Sequence, residues 1–205
     1  MEACPYFRKS IEKICESVAS LMHETNFDEV TRFLDALHSI DAEDKHVYVF
    51  GVGRSGNVGR SFVTRLTNMG YYAHFIGEPS TPAMRKGDAL VVISGSGETP
   101  DVVNRTKTSK ELGAIVFAVT SKPESSLGKL ADYILYVPGR TKADEDYPVL
   151  EDSYENGQLR GFKTPLTPMG TLFEINAGIA LDALIPELAH RKGIDERFMR
   201  ELHFD

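Results

Sequence analysis

The stretch Ser94-Gly95-Ser96-Gly97-Glu98-Thr99-Pro100 concentrates hydroxyls and glycines between an apolar run and a helical pattern. Thr99 is a good N-cap residue, and Pro100 suits the first helical position, where a missing N–H costs nothing. The turn should therefore sit over a helix N-terminus, whose unpaired N–H groups and positive dipole end favour an anion. Gly95 and Gly97 let the backbone approach a ligand, while Ser94, Ser96 and Thr99 supply hydroxyl donors. Phosphate is the natural guest. An ordinary strand-to-helix turn rich in small residues is the plainer alternative.

Glu174 is the next informative side chain, because it lies inside a nearly all-apolar helical pattern. A carboxylate there is costly unless paired, hydrogen-bonded or protonated. Gly170 and Gly178 fall one turn to either side on the same face, which leaves room for something to approach. Partial burial would raise its pKa and suit a proton shuttle near neutral pH. A structural Glu bonded to an Arg or a backbone amide fits the same pattern.

A second glycine-rich turn, Gly51-Val52-Gly53-Arg54-Ser55-Gly56, matches the spacing of the dinucleotide fingerprint, and Glu78 falls where an acid would meet a ribose. The chain has little room for a separate substrate domain. We therefore read Arg54 as a charge partner for a phosphorylated ligand and Ser55 as a donor; an exposed Arg beside a tight turn is the alternative. Among the histidines, His23, His38 and His46 have the neighbours of plain surface, His74 lies within a strand, and His190 is near a helix end.

Short apolar runs position these residues. Residues 47–50, 71–76, 89–93, 115–119 and 133–137 lack polar alternation, the signature of strands covered on both faces. Helical patterns lie between them, closed by Gly70 and Gly113 where a helix C-cap wants glycine. A shorter helix or turn falls around 126–131. Strand and helix alternating in this way imply an α/β three-layer sandwich: a parallel, doubly wound sheet whose ligands bind beyond the strands' carboxyl ends. Both glycine-rich turns, after the first and third strands, are at such ends.

Two amphipathic helices precede the sheet, over 6–23 and from a capping-box pattern at Asn26 and Glu29. Their apolar stripes pack either on the chain's own sheet or on a partner subunit. Residues 138–166 hold Asp144, Glu145, Asp146, Glu151, Asp152 and Glu155 among turn formers, an excursion of the length of a lid or of a partner-packed segment. A long helix over 167–191 has almost no polar face and should be buried, with Pro186 kinking it or starting a new segment. A short helix over 195–202 ends the pattern. The chain divides into N-terminal helices (1–45), sheet core (46–137), acidic excursion (138–166) and C-terminal helices (167–205), all one domain of 205 residues.

The formal net charge of −7 argues against a general nucleic-acid or anionic-membrane binder, so an anionic ligand must be held by local dipoles and a few cations. No apolar run approaches membrane-spanning length. Cys4 and Cys15 have no metal-like or redox-like spacing and read as free thiols of a reducing cytoplasm.

Taken together, residues 51–56, 94–99 and Pro168-Met169-Gly170-Thr171-Leu172-Phe173-Glu174 resemble the sugar isomerase (SIS) domain family, and within it the 3-hexulose-6-phosphate isomerases. The resemblance covers nearly the whole chain. It implies a five-stranded, flavodoxin-like parallel sheet between helices, a homotetramer with sites completed across subunits, and no metal or organic cofactor. It places a phosphorylated sugar against Gly53, Arg54, Ser55, Ser94, Gly95, Ser96, Gly97, Glu98 and Thr99, with Ser55, Ser94, Ser96 and Thr99 on the phosphate. It casts Glu174 as the base and His203 as the family's C-terminal histidine, acting in its own or a neighbour's site. The implied reaction interconverts D-arabino-hex-3-ulose 6-phosphate and fructose 6-phosphate through a cis-enediol, an intramolecular oxidoreduction between ketose phosphates. A non-catalytic sugar-phosphate sensor, an isomerase for another phosphosugar, and a nucleotide binder using the first turn remain alternatives.

Overall fold

The computed structural model describes residues 4–139, 167 and 170–202. Strands β1 (Val47–Gly51), β2 (Ala73–Phe75), β3 (Ala89–Ile93), β4 (Ile115–Thr120) and β5 (Tyr133–Tyr136) form one sheet in the order β2-β1-β3-β4-β5, every pair parallel. The order reverses between β1 and β3, which opens a crevice at their carboxyl ends. Gly51 pairs with Ile93 at that end, so the turns leaving β1 and β3 emerge side by side.

The helices are α1 (Pro5–Glu24), α2 (Phe27–Ala42), α3 (Arg54–Asn68), α4 (Pro100–Glu111), α5 (Ser126–Leu130), α6 (Thr171–Lys192) and α7 (Glu196–Leu202). Strand alternation divides the core. Val47, Val49, Val91, Ile93, Phe117 and Val119 point to the face covered by α2, α3 and α6, where Phe33, Leu37, Phe62, Phe173, Leu181 and Leu188 meet them. Tyr48, Phe50, Leu90, Val92 and Ala118 point to the other face, under Val102 of α4 and Leu127 of α5. Both faces of the central strands are thus dry, which is why their sequences show no polar alternation.

Four details depart from the sequence expectation. β2 is shorter than 71–76, because Tyr71 still bonds back to Leu66 O and belongs to the exit of α3. The last long helix starts at Thr171 rather than 167, after Gly170 has turned the chain in the left-handed region (φ 80°). It runs unbroken through Pro186; the carbonyl deprived of its partner is that of Asp182, an exposed residue that water can serve. It is also not buried all round, since Ile179 remains 41% exposed.

The two N-terminal helices behave differently. α2 is capped by Asn26 Oδ1, which accepts from the N–H groups of Asp28 and Glu29, and it buries Phe33, Leu34, Leu37 and Ile40. α1 leans on α6 through Asn176, whose Nδ2 donates to Ser17 O and Ser17 Oγ, yet Tyr6, Phe7, Ile11 and Met22 stay exposed. Of the acidic excursion (138–166), residues 140–166 lie outside the described residues.

Candidate functional site

The β1–α3 turn is tight for a steric reason. A Cβ on Gly51 would come within 2.9 Å of the Ser55 carbonyl group, and one on Gly56 within 2.6 Å of Gly51 O. Gly53 takes φ 60°, where side chains are strained, and starts α3 without a side-chain cap. Its carbonyl receives the Asn57 N–H, so the N–H groups of Ser55 and Gly56 lie ahead of the helical ladder. The glycines thus serve close packing and leave a helix N-terminus open.

The β3–α4 turn follows the same plan. Thr99 occupies the N-cap position, but its hydroxyl makes no capping bond, in contrast to Asn26 of α2 and Ser125 of α5. The first bond of α4 is Val103 N–H to Thr99 O, which leaves the N–H groups of Asp101 and Val102 ahead of it. Within the turn, Gly97 N–H donates to Ser94 Oγ (3.2 Å) and Glu98 N–H to Ser96 Oγ (3.3 Å). A serine oxygen that accepts from the backbone retains its own O–H to donate elsewhere. The turn therefore holds its hydroxyls as donors, the polarity an anion requires.

The α6 N-terminus reaches the first turn. Arg54 Nη1 donates to Thr171 Oγ1 (3.1 Å) and stands 3.6 Å from Glu174 Oε2, whose side chain is only 14% exposed. Arg54, half exposed, thus links the β1–α3 turn to the carboxylate. Gly170 serves as the left-handed entry to α6 rather than as spare room, whereas a Cβ on Gly178 would meet nothing within 4 Å. The arrangement offers a shielded carboxylate and a cation beside two helix N-termini, which are the parts needed to hold an anion and move a proton.

Other residues singled out from the sequence have their own partners. Glu98 accepts from Ser126 N–H and Ser126 Oγ, both at 2.7 Å, and these bonds hold its carboxyl below the usual carboxylate range. Glu78, considered as a ribose acceptor, ion-pairs with Arg60 at 3.5 Å. His46 is not plain surface: its Nδ1 lies 2.8 Å from His74 Nε2, and its ring stacks on those of Tyr72 and His74. Burial, then the neighbouring His46, holds His74 below the usual imidazole range. His203, Pro168 and Met169 lie outside the described residues. Cys4 and Cys15 are free and exposed. Among the described residues, no cluster of three or more His, Cys, Asp or Glu is placed to hold a metal, and no helix is long and apolar enough to cross a membrane.

Thr171, Ser121 and Ser126 are the polar residues that sequence reasoning passed over. Thr171 carried a signal, three residues before Glu174 on the same helical face. The two serines carried none, since their partners are distant in the chain.

Residues 42–149, more than half of the chain, match the SIS domain family. The chain belongs to the SIS domain family. It is 34% identical to the 3-hexulose-6-phosphate isomerase of Bacillus subtilis over 203 residues, covering 99% of this chain and 98% of that one. Identity is also 34% with the 3-hexulose-6-phosphate isomerase of Methanocaldococcus jannaschii, over 86% of this chain and 85% of that one. A crystal structure of a Methanococcus jannaschii protein, for which a 3-hexulose-6-phosphate isomerase function was inferred, superposes with TM-score 0.69 at 28% identity, covering 96% and 97% of the two chains.

Proposed function

We propose that this SIS protein is a sugar-phosphate isomerase that interconverts D-arabino-hex-3-ulose 6-phosphate and fructose 6-phosphate. The observation that carries the reading is the Arg54 guanidinium bridging Thr171 and Glu174 at the mouth of the paired glycine-rich turns. Full-length likeness to proteins named 3-hexulose-6-phosphate isomerase supports the choice of sugar.

In this reading the 6-phosphate rests on Ser55, Ser94, Ser96 and Thr99 and on the leading N–H groups of α3 and α4. Glu174 takes the proton from C2 of the 3-ketose, and electron density moves onto O3, which takes a proton from His203 or a water to give the cis-enediol. Glu174 then returns the proton to C3, while the O2 hydroxyl proton leaves through His203 or a water as the C2 carbonyl forms. One carbon is oxidised and its neighbour reduced within the same molecule, so the reaction balances without a redox partner. Arg54 orients the Glu174 carboxylate and stabilises charge on the adjacent oxygens.

The active unit in this proposal is a homotetramer. The exposed Tyr6, Phe7, Ile11 and Met22 of α1, and Ile179 on the outward side of α6, support a second copy covering them. Light scattering of the purified chain reads its mass directly. Two free cysteines suit a reducing cytoplasm.

A thermal-shift panel of sugar phosphates, followed by a turnover assay on each hit, tests the function. Stabilisation by fructose 6-phosphate with isomerisation is the expected result. Stabilisation without turnover of any ketose phosphate would make the protein a sensor, and stabilisation by NAD alone would return it to the nucleotide-binding class.

A further inference from the structure

The β3–α4 turn is gripped from behind by the segment that joins β4 to α5. Gly95 O receives three donors: Ser121 Oγ at 2.8 Å, Ser121 N–H at 3.2 Å and Thr120 Oγ1 at 3.2 Å. Gly97 O receives the Leu127 N–H at 3.0 Å, and a Cβ on Gly97 would fall 1.9 Å from Ser125 Oγ. Glu98 then closes the grip, its two carboxylate oxygens taken one each by the N–H and hydroxyl of Ser126.

This placement resolves an electrostatic difficulty in the sequence. A carboxylate two residues from Ser96 stands in a turn read as a phosphate site, and two like charges at short range oppose each other. Both oxygens of Glu98 are engaged by donors of α5, which keep the group ionised and committed to that side.

We propose that Glu98 and Ser126 form a latch: both are positioning residues that set the shape of the 94–99 turn, and Ser126 keeps the Glu98 charge off the bound phosphate. The proposal rests on the reading of this turn as the phosphate site. It departs from the expectation, implied by the family resemblance, that Glu98 touches the sugar phosphate. It also assigns a role to Ser126, which lies outside the glycine-rich motif.

The latch makes an unusual prediction about a pair of substitutions. In Ser126→Ala the carboxylate keeps the residue-126 N–H on Oε1 but loses the hydroxyl on Oε2, and the oxygen so released is free to swing its charge toward phosphate. Binding of fructose 6-phosphate, and of inorganic phosphate as the minimal probe, should weaken about tenfold, the order of one charge-assisted hydrogen bond. Glu98→Gln alone keeps an acceptor for Ser126 and should cost about twofold. Combined with Ser126→Ala, it removes the misplaced charge and should recover binding to within about threefold of the parent. The Ser126→Ala defect should also shrink as salt rises.

Calorimetric titration of the full chain and the three variants, with steady-state kinetics on each, makes the test. The expected kinetic signature is a raised KM with kcat within about twofold, reversed by the second substitution. Losses that add in the double variant, or a Glu98→Gln loss as large as that of Ser126→Ala, would overturn the latch and put Glu98 on the ligand. Should the parent chain bind no phosphate ester, the functional reading fails separately, and amide hydrogen exchange of the ligand-free protein decides the latch. Faster exchange at Gly97 and Ser126 in Ser126→Ala supports it, and unchanged protection there overturns it.

Discussion

Substituting Gly97 by alanine separates backbone strain from steric contact at the site. Gly97 has φ 64°, a region that costs an L-residue about 1–2 kcal/mol. Its new methyl would lie 1.9 Å from Ser125 Oγ, far inside contact distance, so Ser125 must move. Ser125 Oγ accepts the Gly128 N–H at 3.2 Å as the cap of α5, and losing such a cap costs about 1 kcal/mol. The sum is about 2–3 kcal/mol. Gly193 is the control: it has φ 69° at the end of α6, and a Cβ there would meet nothing within 4 Å. Gly193→Ala should therefore cost only the strain, about 1–2 kcal/mol. Urea titrations at matched m-values report both. Gly97→Ala should show the larger loss and should also weaken fructose 6-phosphate binding, which Gly193→Ala leaves unchanged. Equal losses in the two variants would refute the packing of the turn against Ser125.

Three further outcomes follow from the structure. Asn176, fully buried, donates from Nδ2 to Ser17 O, Ser17 Oγ and Pro138 O; Ser17 O keeps the Ser20 hydroxyl, so Asn176→Ala takes the donor from the buried Pro138 carbonyl and should cost about 1–3 kcal/mol in a urea titration. His74 has its folded-state pKa below the unfolded one, because burial and then the neighbouring His46 disfavour the charged ring. Its contribution is therefore complete above the ordinary imidazole pKa and is lost as pH falls through the depressed value. Melting temperatures should fall from pH 7 to pH 5, and His74→Phe should flatten that slope. Arg54→Gln keeps a donor for Thr171 but removes the cation beside Glu174, so kcat should fall about tenfold, equivalent to ~1.4 kcal/mol, with KM changed less. A rise in KM alone would place Arg54 on the phosphate instead.

The sheet was legible because its strands are dry on both faces: Val47 and Val49 meet one helical layer while Tyr48 and Phe50 meet the other, and no polar alternation survives. The glycine-rich turns were legible because their chemistry is local, each needing only consecutive residues to form an open helix N-terminus. What escaped notice is non-local. Ser126 meets Glu98 and His46 meets His74 across 28 residues each, separations at which residue type gives no hint of contact. The long helix was over-read for a related reason. Its all-apolar sequence satisfies both the chain's own core, through Phe173, Leu181 and Leu188, and an outward surface at Ile179, and composition alone does not divide the two. Pro186 reads as a kink or a new start because a missing N–H is local, whereas packing along the whole helix carries one continuous segment through it.

The central claim is that one carboxylate, Glu174, moves the proton of a sugar whose phosphate is held by the two turns. Glu174→Gln tests it most directly, since the substitution preserves shape and removes the base. Fructose 6-phosphate should bind with a Kd within about threefold of the parent, while kcat falls by about 10²–10⁴, the usual contribution of a positioned general base. Turnover within a few-fold of the parent would contradict the account.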